Sequence, residues 1–205
     1  MSNEQHSGAE SPSLDAAYWS GRWARNETGW DYGHASPAIR AFAEAHIPQG
    51  ARILIPGAGN GWEAEWLYRH EWFHVTVLDI ARAPLDQLQA RFPDFPSAQL
   101  VHSDFFAHTG QYDFILEQTF FCALAPSLRP AYAAHMARLL RPGGMLAGLL
   151  FNFPLTDAGP PFGGSREEYE GHLEPWFEVQ EMATTYLSIK PRAGREYWFE
   201  AKRKM

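Results

Sequence analysis

Three glycines in "LIPGAGNGWEAEWL", at positions 57, 59 and 61, separate an apolar run from a segment with helical spacing. Glycine at such a junction removes the Cβ that would hold a ligand away from main-chain N–H groups and from the start of the next helix. Nucleotides are the ligands that use turns of this kind. A P-loop is excluded because no Gly-Lys-Ser/Thr follows, and the dinucleotide fingerprint G-x-G-x-x-G is broken because Trp62 occupies its third glycine position. A bare strand-to-helix turn without any ligand has the same local appearance, so the neighbouring residues must decide.

Asp79 closes "VTVLDI" about twenty residues beyond the glycines, where a carboxylate faces the ribose of a nucleotide held over the first turn of a doubly wound sheet. NAD and S-adenosylmethionine both present that ribose. Asp104, in "AQLVHSDFF", would then lie near the base and could take an adenine amino proton. Aspartate also caps helices and turns, which is the competing role for both residues. "HEWFH", His70 to His74, fits the H-E-x-x-H zinc pattern in letters. Strand-like "VTVLDI" starts directly after it, so the two histidines do not share one helical face, and no metal is expected.

The elements that must position these residues follow from hydrophobic period. "ARILIP" (51–56), "FHVTVLDI" (73–80), "AQLVHSDFF" ending at Asp104, "YDFILEQ" and "MLAGLLFNF" read as strands, the last preceded by an "RPGG" turn. Helices alternate with them in "GWEAEWLYRH", "APLDQLQARF" and "SLRPAYAAHMARLL". That order predicts a parallel sheet covered on both faces, with ligands outside the carboxyl ends of its strands. After 153 a Pro/Gly-rich loop leads to a helix, "REEYEGHL", and two strands, "FEVQEMATTYLSI" and "EYWFEAKRK", whose short link makes one of them antiparallel.

At 205 residues the chain is read as one domain over 14–205, able to bury roughly 70% of its unfolded surface. Residues 1–13 are polar and predict a disordered tail. A net charge of −7 without a basic patch excludes nucleic acid as a partner class. No apolar run reaches 18 residues, which argues against a membrane span, and the single cysteine, Cys122, predicts a reducing, cytoplasmic setting and a monomer without disulfides. Eight tryptophans are unusual for this length, and three of them, Trp19, Trp23 and Trp30, precede the first strand. Trp19 and Trp23 share a helical face, so the 14–48 region reads either as a Trp-rich lid over the site or as a helix packed on the core.

Taken together, "LIPGAGNG", "VTVLDI", "HSDFF", "YDFILEQ" and "LLRPGGMLAGLLF" resemble, in order and spacing, the class I S-adenosylmethionine-dependent methyltransferases. More narrowly, "YWSGRWARNETGWDYGHASPAI", "LIPGAGNGWE", "EQTFFCALAPSLRPAY" and "GPPF", within residues 18–165, resemble the thiopurine S-methyltransferase family and its halide and thiol methyltransferase branch. The resemblance implies a Rossmann-like, doubly wound α/β fold: a seven-stranded, mostly parallel sheet with an antiparallel last strand, plus an N-terminal helical lid. It also implies S-adenosylmethionine as cofactor, lined by Trp19, Trp23 and Trp30, with Gly57 and Gly59 beneath the methionine part. By the same resemblance Asp79 holds the ribose, Asp104 and Phe105 flank the adenine, and Gln118 touches the cofactor.

Three positions depart from the family pattern: Ala58 for a frequent Cys, Gln118 for Tyr or Arg, and Phe151 for a Tyr suggested to help catalysis in halide-methylating relatives. Methyl transfer from a sulfonium needs alignment and a dry pocket more than acid–base groups. A soft small-molecule acceptor such as a thiol, sulfide or halide suits the apolar "FFCAL" and "LLFNF". No catalytic residue is assigned; Phe151, Asn152, Tyr18 and Arg129 are the acceptor-pocket candidates. Two alternatives stay open: a cofactor-binding protein of the same fold without the chemistry, and, against the Trp62 argument, an NAD-dependent oxidoreductase.

Overall fold

Ile53–Pro56 forms β1, and all four residues are buried, as a parallel strand covered on both faces requires. Its side chains alternate between two cores: Ile53 and Ile55 enter one, Leu54 the other. The other strands are β2 (Val75–Asp79), β3 (Leu100–His102), β4 (Tyr112–Gln118), β5 (Leu140–Phe151), β6 (Phe177–Thr184) and β7 (Glu196–Arg203). In the computed structural model, which describes residues 13–156 and 159–205, these strands form one sheet in the order β3-β2-β1-β4-β5-β7-β6. β7 pairs antiparallel with β5 and β6, and the remaining pairings are parallel. Apart from Ser13, the tail expected to be disordered lies outside the described residues.

Three helices, α2 (Pro37–His46), α3 (Trp62–Arg69) and α4 (Arg82–Arg91), cover one face through Ile39, Phe42, Leu67, Leu85 and Leu88. On the other face α5 (Arg129–Leu139) and α6 (Arg166–Leu173) bury Tyr132, Met136, Tyr169 and Leu173. The remaining helix, α1 (Ala16–Ala24), is capped by Asp15, whose carboxylate accepts from the Tyr18 amide at 3.0 Å. Strand order reverses between β1 and β4, so the crevice expected for a ligand opens at their carboxyl ends.

Three local readings change and a fourth holds. "RPGG" is not a turn ahead of the strand: β5 already pairs Leu140 with Tyr112, and the ladder resumes at Met145 opposite Phe114. Gly143, at φ +77°, supplies the left-handed step of the bulge between them. β3 stops at His102, and Asp104 begins a 3-10 turn by accepting from the Phe106 amide at 2.8 Å. α2 belongs to the core rather than to a lid, because Ile39 and Ala43 are fully buried in the core cluster on this face of the sheet; the cavity-facing N-terminal residues end at His34. In "HEWFH" the helix stops at Arg69 and Glu71 takes φ +73°, so His70 and His74 leave the turn in different directions.

Candidate active site

All three glycines of the opening turn have positive φ: +57° at Gly57, +52° at Gly59 and +63° at Gly61. A left-handed step is the shared reason for glycine here. Their surroundings differ. A Cβ on Gly57 would sit 2.2 Å from Phe120 Cδ2, and one on Gly61 2.7 Å from Leu88 Cδ2, so these two are bare to admit protein side chains. A Cβ on Gly59 would meet only ordinary contact, with Trp23 Cζ2 at 3.6 Å, and Gly59 lines the cavity together with Gly57.

Asp79 holds this turn from the end of β2. Its Oδ2 accepts from the Gly59 amide at 2.9 Å and its Oδ1 from the Ala81 amide at 2.8 Å. Burial raises its carboxyl above the ordinary range, opposed by those two amide bonds. Each oxygen keeps a lone pair for a further donor.

Above the turn, α1 and the following segment bring three tryptophans together. Trp30 meets Trp19 and Trp23 edge to face, at 5.5 and 5.8 Å between centroids. The next two residues anchor the segment below. Asp31 accepts from the Trp62 indole at 2.7 Å and from the Asn60 amide, and the Tyr32 hydroxyl accepts from Gln118 Nε2 at 2.6 Å. Trp62, the residue that breaks the dinucleotide fingerprint, therefore ties down the aromatic segment, and Arg91 stacks on its ring at 3.7 Å.

These elements line an open cleft of about 2180 Å³. Trp19, Trp23, Trp30, Gly57, Gly59, Asp79, Asp104, Phe105 and Gln118 all line it, as does Phe151. The other three acceptor-pocket candidates do not. Tyr18 stays on the outer side of α1, its hydroxyl accepting from Arg22 Nη1 at 3.0 Å. Asn152 donates to the Gly194 carbonyl at 3.1 Å and serves the β5–β7 end. Arg129 is fully buried, donates to Gly163 O at 2.8 Å and Glu168 Oε1 at 2.5 Å, and lies over the Phe121 and Tyr169 rings; it secures the loop after β5 from behind.

The far wall combines the apolar segments singled out in sequence with two arginines that were not. Phe153, Phe162 and Cys122 line it beside Phe151, and Arg192 and Arg195 reach it from the β6–β7 connection. Glu117, fully buried, pins the "TFF" turn: Oε1 accepts from the Phe120 amide at 3.0 Å, and Oε2 from the Phe121 amide at 2.9 Å and the Tyr132 hydroxyl at 3.0 Å. Burial pushes its carboxyl up to about 7. The strand-ending Glu-Gln pair in "YDFILEQ" is the one local signal of this role; nothing local marks Arg192.

Two buried polar atoms on the wall have no partner among the described residues: Oε1 of Gln118 and Oδ1 of Asn60. Buried polar groups are ordinarily bonded, so these two acceptors beside the cavity are the ones that a small change of side-chain angle could offer to a donor. With the Asp79 carboxylate on its wall, an aromatic roof and a bare glycine turn, the cavity suits a ligand that joins a cation to a nucleoside.

Residues 14–200 match the family model for thiopurine S-methyltransferase. The chain belongs to this family. It is 34% identical over 184 residues to a probable thiol methyltransferase 2 of Arabidopsis thaliana, covering 87% of this chain and 81% of that one. A thiopurine S-methyltransferase of Pseudomonas aeruginosa (strain UCBPP-PA14) is 27% identical over 188 residues, with 82% and 86% covered. Among solved structures, the Burkholderia thailandensis 1,6-didemethyltoxoflavin-N1-methyltransferase, crystallised with S-adenosylhomocysteine, shares the fold at TM-score 0.72 and 19% identity, over 93% of this chain and 87% of that one. The protein is thus an S-adenosylmethionine-dependent methyltransferase of Rossmann-like fold, and the dinucleotide reading is set aside.

Proposed function

We propose that this methyltransferase acts on a small soft nucleophile: a thiol, hydrosulfide, halide or thiopurine-like sulfur. The observation that carries the proposal is the wall around Phe151, where Phe153 packs as a tilted ring at 4.9 Å, Phe162 and Cys122 complete the apolar surface, and two guanidinium groups stand at the edge. Glu117, the buried carboxylate nearest that turn, has both oxygens engaged by three donors, so it is not available as a general base. An acceptor already anionic at neutral pH needs no base, and the arginines favour its approach. The names of the relatives, thiol and thiopurine methyltransferases, point the same way.

S-adenosylmethionine supplies an activated methyl group on a sulfonium. We assign Asp79 to the ribose hydroxyls, Asp104 and Phe105 to the adenine, and Gln118 with Gly57 and Gly59 to the amino-acid end. Trp19, Trp23 and Trp30 present ring faces to the positive sulfur, worth about 0.5–2 kcal/mol per well-placed ring, and keep water out. Residues 14–34 act as the lid of a single domain. We take the working unit to be a monomer. No helix among the described residues is long and apolar enough to cross a membrane, and with the buried Cys122 this supports a cytoplasmic, small-molecule enzyme.

The test is an acceptor panel. Turnover is expected with iodide, hydrosulfide or a small aromatic thiol, and little with amines or oligonucleotides. The ratio of thiol to iodide rates, in which titrations of the enzyme cancel, should rise with pH as the acceptor's thiolate fraction. Robust amine methylation would overturn the acceptor class. Binding of S-adenosylmethionine in calorimetry without turnover on any acceptor would favour the non-catalytic reading instead. A second expectation concerns the lid: amide exchange over residues 18–34 should slow on cofactor binding. Equal protection with and without cofactor would make this segment a fixed part of the core.

A further inference from the structure

Residues 30, 31 and 32 each grip a different part of the molecule. Asp31 binds the glycine turn through Asn60 and Trp62, and Tyr32 binds the end of β4 through Gln118. The third contact crosses 162 residues of sequence: Arg192 Nη2 donates to the Trp30 carbonyl at 3.0 Å. The same guanidinium lies 5.1 Å from the Tyr32 ring centroid and 5.3 Å from that of Phe151, and its Nη1 is 3.4 Å from Oε1 of the buried Glu196. Arg192 thus touches the aromatic segment, the acceptor wall and the first residue of β7 at once, with 12% of its side chain exposed.

We propose that Arg192 is a positioning residue that fastens the Trp30–Tyr32 segment to the acceptor wall at Phe151, so that lid and wall move as one body. The planar fork of arginine suits such a clamp, since one nitrogen serves the carbonyl, another the carboxylate, and the cation lies within reach of both aromatic rings. Glu196 fixes the guanidinium from the β7 side, where it starts the ladder with Phe151. Pressure on Phe151 from an acceptor is therefore felt at Trp30, and order in the lid is felt at Phe151. Cofactor and acceptor become mutually favourable through this one side chain.

The proposal rests on residues 14–34 acting as a lid, and its test separates the two claims. Amide exchange is followed over residues 27–34 with S-adenosylhomocysteine bound, in wild type, Arg192→Met, Arg192→Lys and Tyr32→Phe. Arg192→Met should exchange about tenfold faster there while β1 and β2 stay protected. Its KM for thiol should rise about tenfold, with kcat at saturation changed less than about threefold. Arg192→Lys, which keeps one donor for the Trp30 carbonyl, should recover most of the protection. Tyr32→Phe breaks the Gln118 tie but keeps Arg192 and both of its ring partners, so its KM for thiol should rise less than that of Arg192→Met. Should Arg192→Met not fold, Glu196→Gln loosens the same anchor and should shift exchange in the same direction. Wild-type-like exchange in Arg192→Met, or acceleration spread evenly into β1 and β2, would overturn the proposal. A wild-type lid indifferent to S-adenosylhomocysteine would instead remove the lid reading beneath it.

Discussion

Replacing Asp79 with alanine is expected to weaken S-adenosylmethionine binding by about 2–4 kcal/mol, roughly 30- to 1,000-fold. Two effects add. The ribose hydroxyls lose a charged acceptor, and the Gly59 and Ala81 amides, now bonded to the two carboxylate oxygens, lose their partners. The second effect disturbs the glycine turn itself and should lower folding stability by about 1–3 kcal/mol without abolishing the fold. Asp79→Asn keeps one acceptor oxygen and should fall between alanine and wild type. Calorimetry gives the affinity, and urea denaturation gives the stability. An affinity within about threefold of wild type, beside a clear loss of stability, would leave Asp79 as a brace for the turn and take the ribose from it.

How far the site was readable from sequence follows from which interactions are local. Strands announce themselves through apolar runs such as "ILIP" and "VTVLD", and α6 occupies the segment "REEYEGHL" that reads as a helix. Site residues at strand ends are equally legible, because topology alone brings Gly57, Asp79 and Gln118 to one rim. Orientation is not. Arg129 and Asn152 stand beside pocket residues in sequence, yet one is buried against Glu168 and the other turned to Gly194. The glycines show a related limit. Sequence tells that the turn is bare but not for whom, and Phe120 and Leu88, far along the chain, are the reason at two of the three positions. Arg192 is the extreme case, since only the closed sheet sets it against Trp30.

The same closure buries carboxylates whose titration should be visible in stability. Glu117 titrates near 4.5 in an unfolded chain and near 7 in the fold, because burial disfavours its charge more than three donors favour it. Between those values the folded protein holds a proton that the unfolded chain has released. Its contribution is therefore complete below about pH 4.5, falls as pH rises, and is gone above about pH 7. At about 1.4 kcal/mol per pH unit the window corresponds to about 3 kcal/mol. Burial raises Asp79 and Glu63 as well, with the same sign; of the lowered carboxylates, Asp15, Glu27 and Glu167 are fully exposed, and Glu65, held down against burial by Arg91 and Arg69, acts with the opposite sign.

Glu117→Gln isolates the effect. The neutral amide retains one acceptor but turns N–H groups toward donors, so it should cost about 1–3 kcal/mol at pH 5, where wild-type Glu117 is protonated. Between pH 5 and pH 8 the wild type then loses stability that the variant keeps, and the gap should close or reverse by about 3 kcal/mol. Other titrating groups are common to both proteins and cancel in this difference. Urea midpoints measured across that range decide it. Parallel stability profiles would mean that Glu117 is ionised throughout, held charged by the Phe120 and Phe121 amides and the Tyr132 hydroxyl against the cost of burial.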